Sequence, residues 1–223
     1  RAKVAVDQRT NALAHPHAVF RNTPITFEDV LNSPMICSPL HMLEIVMPCM
    51  GGAAVVVTSK EKAAKTKNRP VYVVGGGENT THRSVTYEPD FTHSPIKAAS
   101  DRAWAMSGLK PKDIDLASLY DCYTITVLLT LEDTGFCGKG EAGRFVMEHD
   151  LTYKGDFPMN THGGQLSFGQ AGIAGGMSHV TEAVLQLQGR AGDRQLRKCD
   201  TAFVNGNGGI MSEQVSLILG RDR

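Results

Sequence analysis

Short runs of residues typical of strands alternate along this chain with helix-forming stretches, and this alternation restricts the fold more than any other feature. The predicted strands lie at residues 71–76, 116–120, 201–205 and 214–219, and the predicted helices at residues 95–108, 124–134 and 172–187. Strands that alternate with helices form layered structures in which helices cover both faces of a sheet. The sequence therefore predicts an α/β fold.

The first part of the chain has a different character. Residues 11–48 are rich in Pro, His, Asn and Ser, which is typical of irregular structure with short helices. Residues 51–59 join small residues to a β-branched run, which predicts a buried strand, and residues 61–67 predict a helix. The break at residues 68–70 predicts a boundary between residues 1–67 and residues 68–223. Because the chain begins without Met, in what reads as the middle of a helix, we expect a fragment of a longer protein.

Two glycine-rich segments stand out, at residues 160–176 and 205–209. Glycine lets the backbone adopt positive φ or approach a ligand closely, and the first segment leads into a helix N-terminus that favours a negatively charged group. Tight turns alone would explain an isolated Gly-Gly pair, but glycine at this density beside Asn160, His162 and Gln170 favours a pocket. Neither segment matches a phosphate-binding loop or a dinucleotide fingerprint, which disfavours those classes of nucleotide-binding protein.

A third polar group, SLYDCYT at residues 118–124, lies where a predicted strand ends and a helix begins. Ligands usually bind at this edge of an open α/β sheet. A half-buried tyrosine with a satisfied hydroxyl group is the simpler interpretation of Tyr120 taken alone. Cys122 is interpreted as a small packed residue rather than a nucleophile.

Composition excludes several classes of partner. The 23 Lys and Arg residues balance 23 Asp and Glu residues, so no basic excess predicts a nucleic-acid partner. The five cysteines form no C-x-x-C pair, which predicts a reduced cytoplasmic protein without a metal site. No apolar run is long enough to predict a membrane segment or a signal peptide.

Five motifs occur together in one order: NRP before VYVVGG, SGLKPKDIDL, SLYDCYT, NTHGG followed by GQAG, and NGNGG. In this order and spacing the chain resembles the C-terminal half of thiolases, most closely the sterol-carrier-protein-x and lipid-transfer type. Residues 9–44 resemble the thiolase loop domain, and residues 49–59 resemble the last strand of the N-terminal half. The resemblance covers essentially the whole chain.

This resemblance implies a layered αβαβα fold built from two similar halves, with mixed five-stranded sheets covered by helices. Residues 1–67 would be the loop domain and the end of the N-terminal half, and residues 68–223 the C-terminal half. The nucleophilic cysteine of thiolases would lie upstream of this chain, so none of the five cysteines is assigned that role. The resemblance also implies a homodimer, and a small partner subunit with an OB-fold and a zinc ribbon.

The departures from the thiolase pattern carry more information about chemistry than the match. Gln170 replaces the histidine of the family's G-H-P motif, and Asn205 replaces its second catalytic cysteine. The side-chain amides of Gln170 and Asn205 have no proton that titrates near neutral pH. Tyr120 replaces the Asn or His of the family's N-E-A-F or H-D-C-F motif, and a phenol can donate to an oxyanion or move a proton.

The resemblance therefore places the candidate site in two groups of residues. The predicted catalytic residues are Tyr120, His162, Gln170 and Asn205. The predicted substrate or coenzyme A contacts are Asp121, Gly163, Gly164, Gly169, Gly206, Asn207 and Gly208. Coenzyme A would be a substrate or product, with no covalently bound cofactor.

Three functions stay open at this stage. Acyl transfer to coenzyme A, as in thiolytic cleavage, needs a thiolate and a proton for the departing enolate. Retro-aldol cleavage of a β-hydroxyacyl-CoA, from a steroid side chain or an aromatic pathway, needs only a base and oxyanion donors. A non-catalytic acyl-CoA-binding homologue would also have lost the histidine and the cysteine.

Overall fold

The computed structural model describes residues 1–209 and 211–221. Its α-helices are α1 (Ala2–Leu13), α2 (Phe27–Asn32), α3 (Lys60–Ala63), α4 (Ile96–Ser107), α5 (Thr124–Asp133), α6 (Ala142–Glu148), α7 (Gly164–Ser167) and α8 (Met177–Leu187). Its strands are β1 (Met35–Cys37), β2 (Leu40–His41), β3 (Tyr72–Thr80), β4 (Leu116–Ser118), β5 (Thr201–Gly208) and β6 (Glu213–Gly220). No helix in this described part has the length and apolar character needed to cross a membrane.

The main sheet is mixed, in the order β3-β6-β5-β4. β6 pairs antiparallel with both β3 and β5, whereas β5 and β4 are parallel. Outside β4, Met159 forms a single parallel bridge with Ala117, at the position where a fifth strand would lie. The predicted α/β fold with a mixed sheet is confirmed. Of the five expected strands, four form within the described residues, and the bridge at Met159 lies at the position of the fifth.

Helices cover both faces of this sheet. Successive residues of a strand point to opposite faces, so neighbours in β5 enter different cores. Phe203 packs in the core formed with α4, α5 and α6, and Val204 packs in the second core, against α8. Burial on both faces explains why residues 202–204 of β5 are apolar without interruption.

Helix α4 shows how closely sequence and structure agree in this half of the chain. It begins directly after Pro95 and ends at Gly108, whose φ of +71° is the left-handed conformation that commonly closes a helix. Two glycines of β3, Gly75 and Gly77, lie against backbone carbonyl groups of α4 where a Cβ would collide. Glycine at these two positions therefore lets the helix pack directly on the sheet.

Other predicted elements differ from the structure. The strand predicted at residues 51–59 is wrong: these residues form no strand, and Val56 and Val57 are 93% and 85% exposed. A β-branched run becomes a strand only when a neighbouring strand satisfies its backbone, and none of the residues that the structure describes pairs with it. The helix predicted at residues 61–67 is only the single turn α3, and α8 begins at Met177, after a 3₁₀ turn at Gly172–Ala174. The boundary at residues 68–70 stays a prediction.

Candidate active site

The connection from β4 to α5 carries Tyr120 and places it beside β5. Because β4 and β5 are parallel, their carboxyl ends meet at the same edge of the sheet. The Tyr120 backbone N–H donates to Asn205 Oδ1 at 3.4 Å. Topology alone thus brings together two predicted catalytic residues that lie 85 positions apart in the sequence.

The Tyr120 hydroxyl group is half-buried and faces an amide. Gln170 Nε2 donates to the phenol oxygen at 3.5 Å. Burial raises the pKa of Tyr120 above its usual value of 10, while hydrogen bonds from the side-chain amides of Gln170 and Gln165 act in the opposite direction. The phenol is therefore protonated at neutral pH and can donate a hydrogen bond or a proton.

Gln170 is held in place by its own loop. Its Oε1 accepts from the Gly172 backbone N–H at 2.9 Å, and its Nε2 donates to the Gly172 carbonyl oxygen at 3.2 Å. Its own carbonyl oxygen accepts from the Cys49 backbone N–H at 2.8 Å, which ties the loop to the N-terminal part of the chain. These bonds fix the amide nitrogen next to the Tyr120 hydroxyl group.

His162 is buried behind this loop as a neutral imidazole. Ser178 Oγ donates to the Gly175 carbonyl oxygen at 2.8 Å, so the His162 Nε2–H donates to Ser178 Oγ at 3.2 Å. The other nitrogen, Nδ1, has no hydrogen-bond partner among the described residues. Burial, followed by the charges of His179, His15 and Arg194, holds the pKa of His162 well below 6.5. An unprotonated nitrogen with a free lone pair is thus present next to the candidate site.

Asp121 points into the protein. It is completely buried, and its two carboxylate oxygens accept from the backbone N–H groups of Gln165 at 2.8 Å and Leu166 at 3.0 Å. These bonds hold the first turn of α7. Within the described structure Asp121 therefore anchors the glycine-rich segment, and its predicted contact with the substrate stays a prediction.

At three positions of the segment at residues 160–176, the backbone conformation and close packing require glycine. Gly163, Gly164 and Gly169 have φ values of +107°, +61° and +139°. A Cβ at Gly163 would lie 2.6 Å from Ala12 Cβ, and one at Gly169 would lie 2.7 Å from Cys49 Sγ. Positive φ and close packing together explain these residues, so their predicted role as ligand contacts stays a prediction.

Asn205 is also well satisfied within the protein. Besides accepting from Tyr120, it donates through Nδ2 to Gln214 Oε1 at 3.1 Å and to the Val215 carbonyl oxygen at 3.3 Å. It is 1% exposed. This bonding supports a role in placing the Tyr120 backbone, and the catalytic role of Asn205 stays a prediction.

The end of β5 carries the remaining predicted contacts, Gly206, Asn207 and Gly208. A Cβ at Gly206 or Gly208 would make only ordinary contacts, at 3.8 Å and 3.5 Å, so packing does not require glycine there. Asn207 Oδ1 accepts from the Met211 backbone N–H at 3.0 Å. No finding tests whether these three residues contact a ligand.

Sequence analysis missed His179 and Gln165, which lie between the predicted residues. His179 is completely buried. The centre of its ring lies 5.1 Å from the ring centre of His162 and 6.1 Å from that of Tyr120. A signal was available: His179, Glu182 and Gln186 recur at helical spacing on the buried face of α8, where apolar residues are expected. Buried polar side chains of this kind are usually paired, and they mark a network.

The other parts of the described surface hold no competing site of the predicted kind. No group of three or more His, Cys, Asp or Glu side chains in the described ranges is placed to bind a metal ion. A surface cavity of about 540 Å³ lies between the end of α1 and the end of α8, and none of the predicted site residues lines it.

Comparisons with known proteins show which family the chain belongs to. The family model "Thiolase C-terminal domain-like" matches residues 77–221. The chain is 40% identical to the 17-hydroxy-3-oxo-4-pregnene-20-carboxyl-CoA lyase of Mycobacterium tuberculosis, over 83% of this chain and 49% of that protein. It is 34% identical to the acetyl-CoA acetyltransferase of Methanothermobacter thermautotrophicus, over 93% of this chain and 54% of that protein.

A solved structure, the "Ltp2-ChsH2(DUF35) aldolase", matches with a TM-score of 0.87 and 34% identity. The match covers all of this chain and 58% of the solved chain. The chain thus spans about half the length of the curated relatives it matches.

Proposed function

The chain belongs to the thiolase superfamily, and from this premise we propose that the complete protein breaks or forms a carbon-carbon bond next to the thioester of an acyl-CoA. We propose retro-aldol cleavage of a β-hydroxyacyl-CoA as the reaction. The lyase and the aldolase among the similar proteins support this choice, since both names describe bond cleavage and the lyase acts on a hydroxylated carboxyl-CoA.

One observation carries the choice of reaction: a protonated phenol, rather than a histidine or a cysteine, occupies the centre of the site. Gln170 directs an amide at the Tyr120 hydroxyl group, and neither Gln170 nor Asn205 can carry a proton near neutral pH. Thiolysis needs a general base to form a thiolate and an acid for the enolate. Retro-aldol cleavage forms no acyl-enzyme, so it needs fewer of these groups.

The proposed step moves one proton and cleaves one carbon-carbon bond. The Nδ1 lone pair of His162 is buried within the described residues, so we assign the general base that accepts the proton of the β-hydroxyl group to the half of the enzyme that faces Tyr120. The bond between Cα and Cβ then breaks. The β-carbon becomes a carbonyl carbon, and the electron pair of the broken bond forms the thioester enolate. The Tyr120 hydroxyl group donates a hydrogen bond to the enolate oxygen, and the proton taken from the hydroxyl group returns to Cα. The products are an aldehyde or ketone and a shortened acyl-CoA.

Thiolytic acyl transfer is the second candidate, and the similarity to an acetyl-CoA acetyltransferase favours it. The two reactions differ in one reactant. Thiolysis consumes free coenzyme A, whereas retro-aldol cleavage proceeds without it. An assay with and without free coenzyme A therefore separates them, and binding of acyl-CoA without any turnover would indicate a non-catalytic homologue.

We further propose that residues 1–67 supply the loop domain and the end of the other half, and that a homodimer or a small partner subunit completes the enzyme. The matched aldolase structure, which contains ChsH2(DUF35), supports a partner subunit. Coenzyme A enters this scheme as part of the substrate and product.

Tyr120→Phe in the complete protein tests the proposed function. This change removes one hydroxyl group and keeps the ring, so we expect the thermal unfolding midpoint to change little. Loss of an oxyanion donor should lower kcat for a β-hydroxyacyl-CoA by roughly a hundredfold to a thousandfold. Steady-state kinetics and thermal unfolding of the same preparation provide the comparison.

Gln170→Ala and His162→Ala are the controls for this experiment. If His162→Ala causes the largest loss and Tyr120→Phe leaves kcat nearly unchanged, Tyr120 is a packing residue and the proposed role of its hydroxyl group is wrong.

A further inference from the structure

His179 is a buried side chain of α8 whose two ring nitrogens reach two different parts of the sheet edge. Its Nε2 lies 3.2 Å from Asp121 Oδ1, and its Nδ1 lies 3.0 Å from Ser118 Oγ. A carboxylate can only accept, so Nε2 carries the proton and Nδ1 accepts from the Ser118 hydroxyl group. The ring therefore ties α8 to β4 and to the residue that follows Tyr120.

Asp121 connects this ring to the candidate site. The Asp121 oxygen that His179 contacts also accepts from the Gln165 backbone N–H at 2.8 Å, and Asp121 directly follows Tyr120 in the chain. The Tyr120 backbone N–H in turn donates to Asn205 Oδ1 at 3.4 Å. A continuous set of contacts thus runs from His179 through Asp121 to the backbone that carries Tyr120.

We propose that His179 is a positioning residue, whose Nε2–H holds Asp121 and so fixes the backbone from which the Tyr120 side chain reaches Gln170. This inference rests on the proposed function of Tyr120. His179 has no exposed surface, so it acts through Asp121 and not by contact with the substrate. The fixed position matters because a misplacement of about 1 Å can lower a rate by roughly a hundredfold.

Two amide substitutions separate positioning from packing, because each preserves one ring nitrogen. In His179→Gln the amide nitrogen lies near the position of Nε2 and can still donate to Asp121. In His179→Asn it lies near the position of Nδ1, so the contact with Ser118 is retained and the contact with Asp121 is lost. Both variants replace an aromatic ring with a small amide, and their losses of packing are similar.

In the complete protein we expect His179→Gln to keep kcat within a few-fold of the parent value, because the glutamine amide still donates to Asp121. His179→Asn should lower kcat by about a hundredfold with little change in KM. The Tyr120 ionisation midpoint provides a readout that packing would not move. It is measured by ultraviolet difference spectroscopy against Tyr120→Phe in each background. It should rise in His179→Asn but not in His179→Gln, because a Tyr120 that is no longer fixed beside the Gln170 amide loses the hydrogen bond that stabilises its phenolate.

Equal kcat values and equal ionisation midpoints in the two amide variants would overturn the positioning role. If His179→Asn does not fold, His179→Phe decides, since it keeps an aromatic ring and removes the contacts of both nitrogens: a loss of kcat supports the inference and an unchanged kcat overturns it. Tyr120→Phe in the same assay separates the two proposals. Full activity of that variant overturns both, whereas loss of its activity with equal amide variants overturns only the role of His179.

Discussion

At the scale of single residues, the glycines of the segment at residues 160–176 fall into two kinds that the sequence could not separate. Gly164 has positive φ and no room for a side chain, because a Cβ would collide with the Asp121 carboxylate and with Gln8 Oε1. Gly172 also has positive φ, +57°, but nothing lies within 4 Å of a Cβ placed there. High glycine density predicted a pocket, yet part of that density serves close packing, which depends on neighbours far away in the sequence.

This difference gives a prediction about stability. Gly172→Ala should lower the free energy of unfolding by about 1–2 kcal/mol, the strain of an L-residue in the left-handed region. Gly164→Ala adds a collision with the carboxylate that holds α7, so its loss should exceed that of Gly172→Ala by roughly 1–3 kcal/mol. Urea unfolding of the two variants of the complete protein measures both. Equal losses would show that the Asp121 side chain moves away freely.

At the scale of elements, the sequence predicted those whose signals are local. Helix α4 begins after a proline and ends at a glycine, and strands β3, β5 and β6 contain short apolar runs that find partners within the chain. The same kind of run at residues 51–59 forms no strand, because strand formation depends on a partner and not on composition. The contacts of His179 were likewise invisible, since β4, α7 and α8 meet only in the folded chain.

The packing of the N-terminal connection against α7 predicts sensitivity to acid. His15 is 8% exposed, and its ring lies 4.8 Å from that of Phe168. Its pKa is lowered from 6.5 to about 4, chiefly by burial and to a smaller extent by the charges of Arg194 and His17, while Glu182 acts in the opposite direction. The unfolded chain therefore binds a proton at His15 between pH 6.5 and pH 4 that the folded chain does not bind. The contribution of neutral His15 to the free energy of unfolding is fully present above pH 6.5. It is lost as the pH falls to 4, and the loss is at most about 3 kcal/mol.

His15→Gln should reduce this dependence on pH. The variant is expected to lose some stability at pH 7, through weaker packing on Phe168, and then to lose less than the parent protein as the pH falls from 6.5 to 4. Urea unfolding at a series of pH values measures the slope. His17→Gln, which removes an exposed imidazole two residues away, is the matched control. A slope that is the same in all three proteins would show that His15 does not contribute to acid sensitivity.

At the scale of the whole molecule, the described chain places its site residues at one edge of a sheet and leaves apolar surface uncovered beside them. Ile173, in the loop next to Gln170, is fully exposed, as is Met50. The thiolase fold has two halves, and this chain spans about half the length of its curated relatives. We infer that a second half covers this surface and pairs with the run at residues 51–59.

The final prediction follows from that inference: residues 1–223 expressed alone should not turn over a β-hydroxyacyl-CoA, because the groups on the facing side of the site are missing. In the same fragment the backbone amides of residues 53–58 should exchange with solvent as fast as those of an unfolded peptide, since they lack strand partners. In the complete protein these amides should be protected, because a neighbouring strand accepts their hydrogen bonds. Hydrogen exchange read by mass spectrometry, with β5 as the protected internal reference in both samples, measures this difference. Measurable cleavage by the fragment, or equal exchange of residues 53–58 in the two proteins, would contradict the two-half interpretation, because the site and the strand would then not depend on a second half.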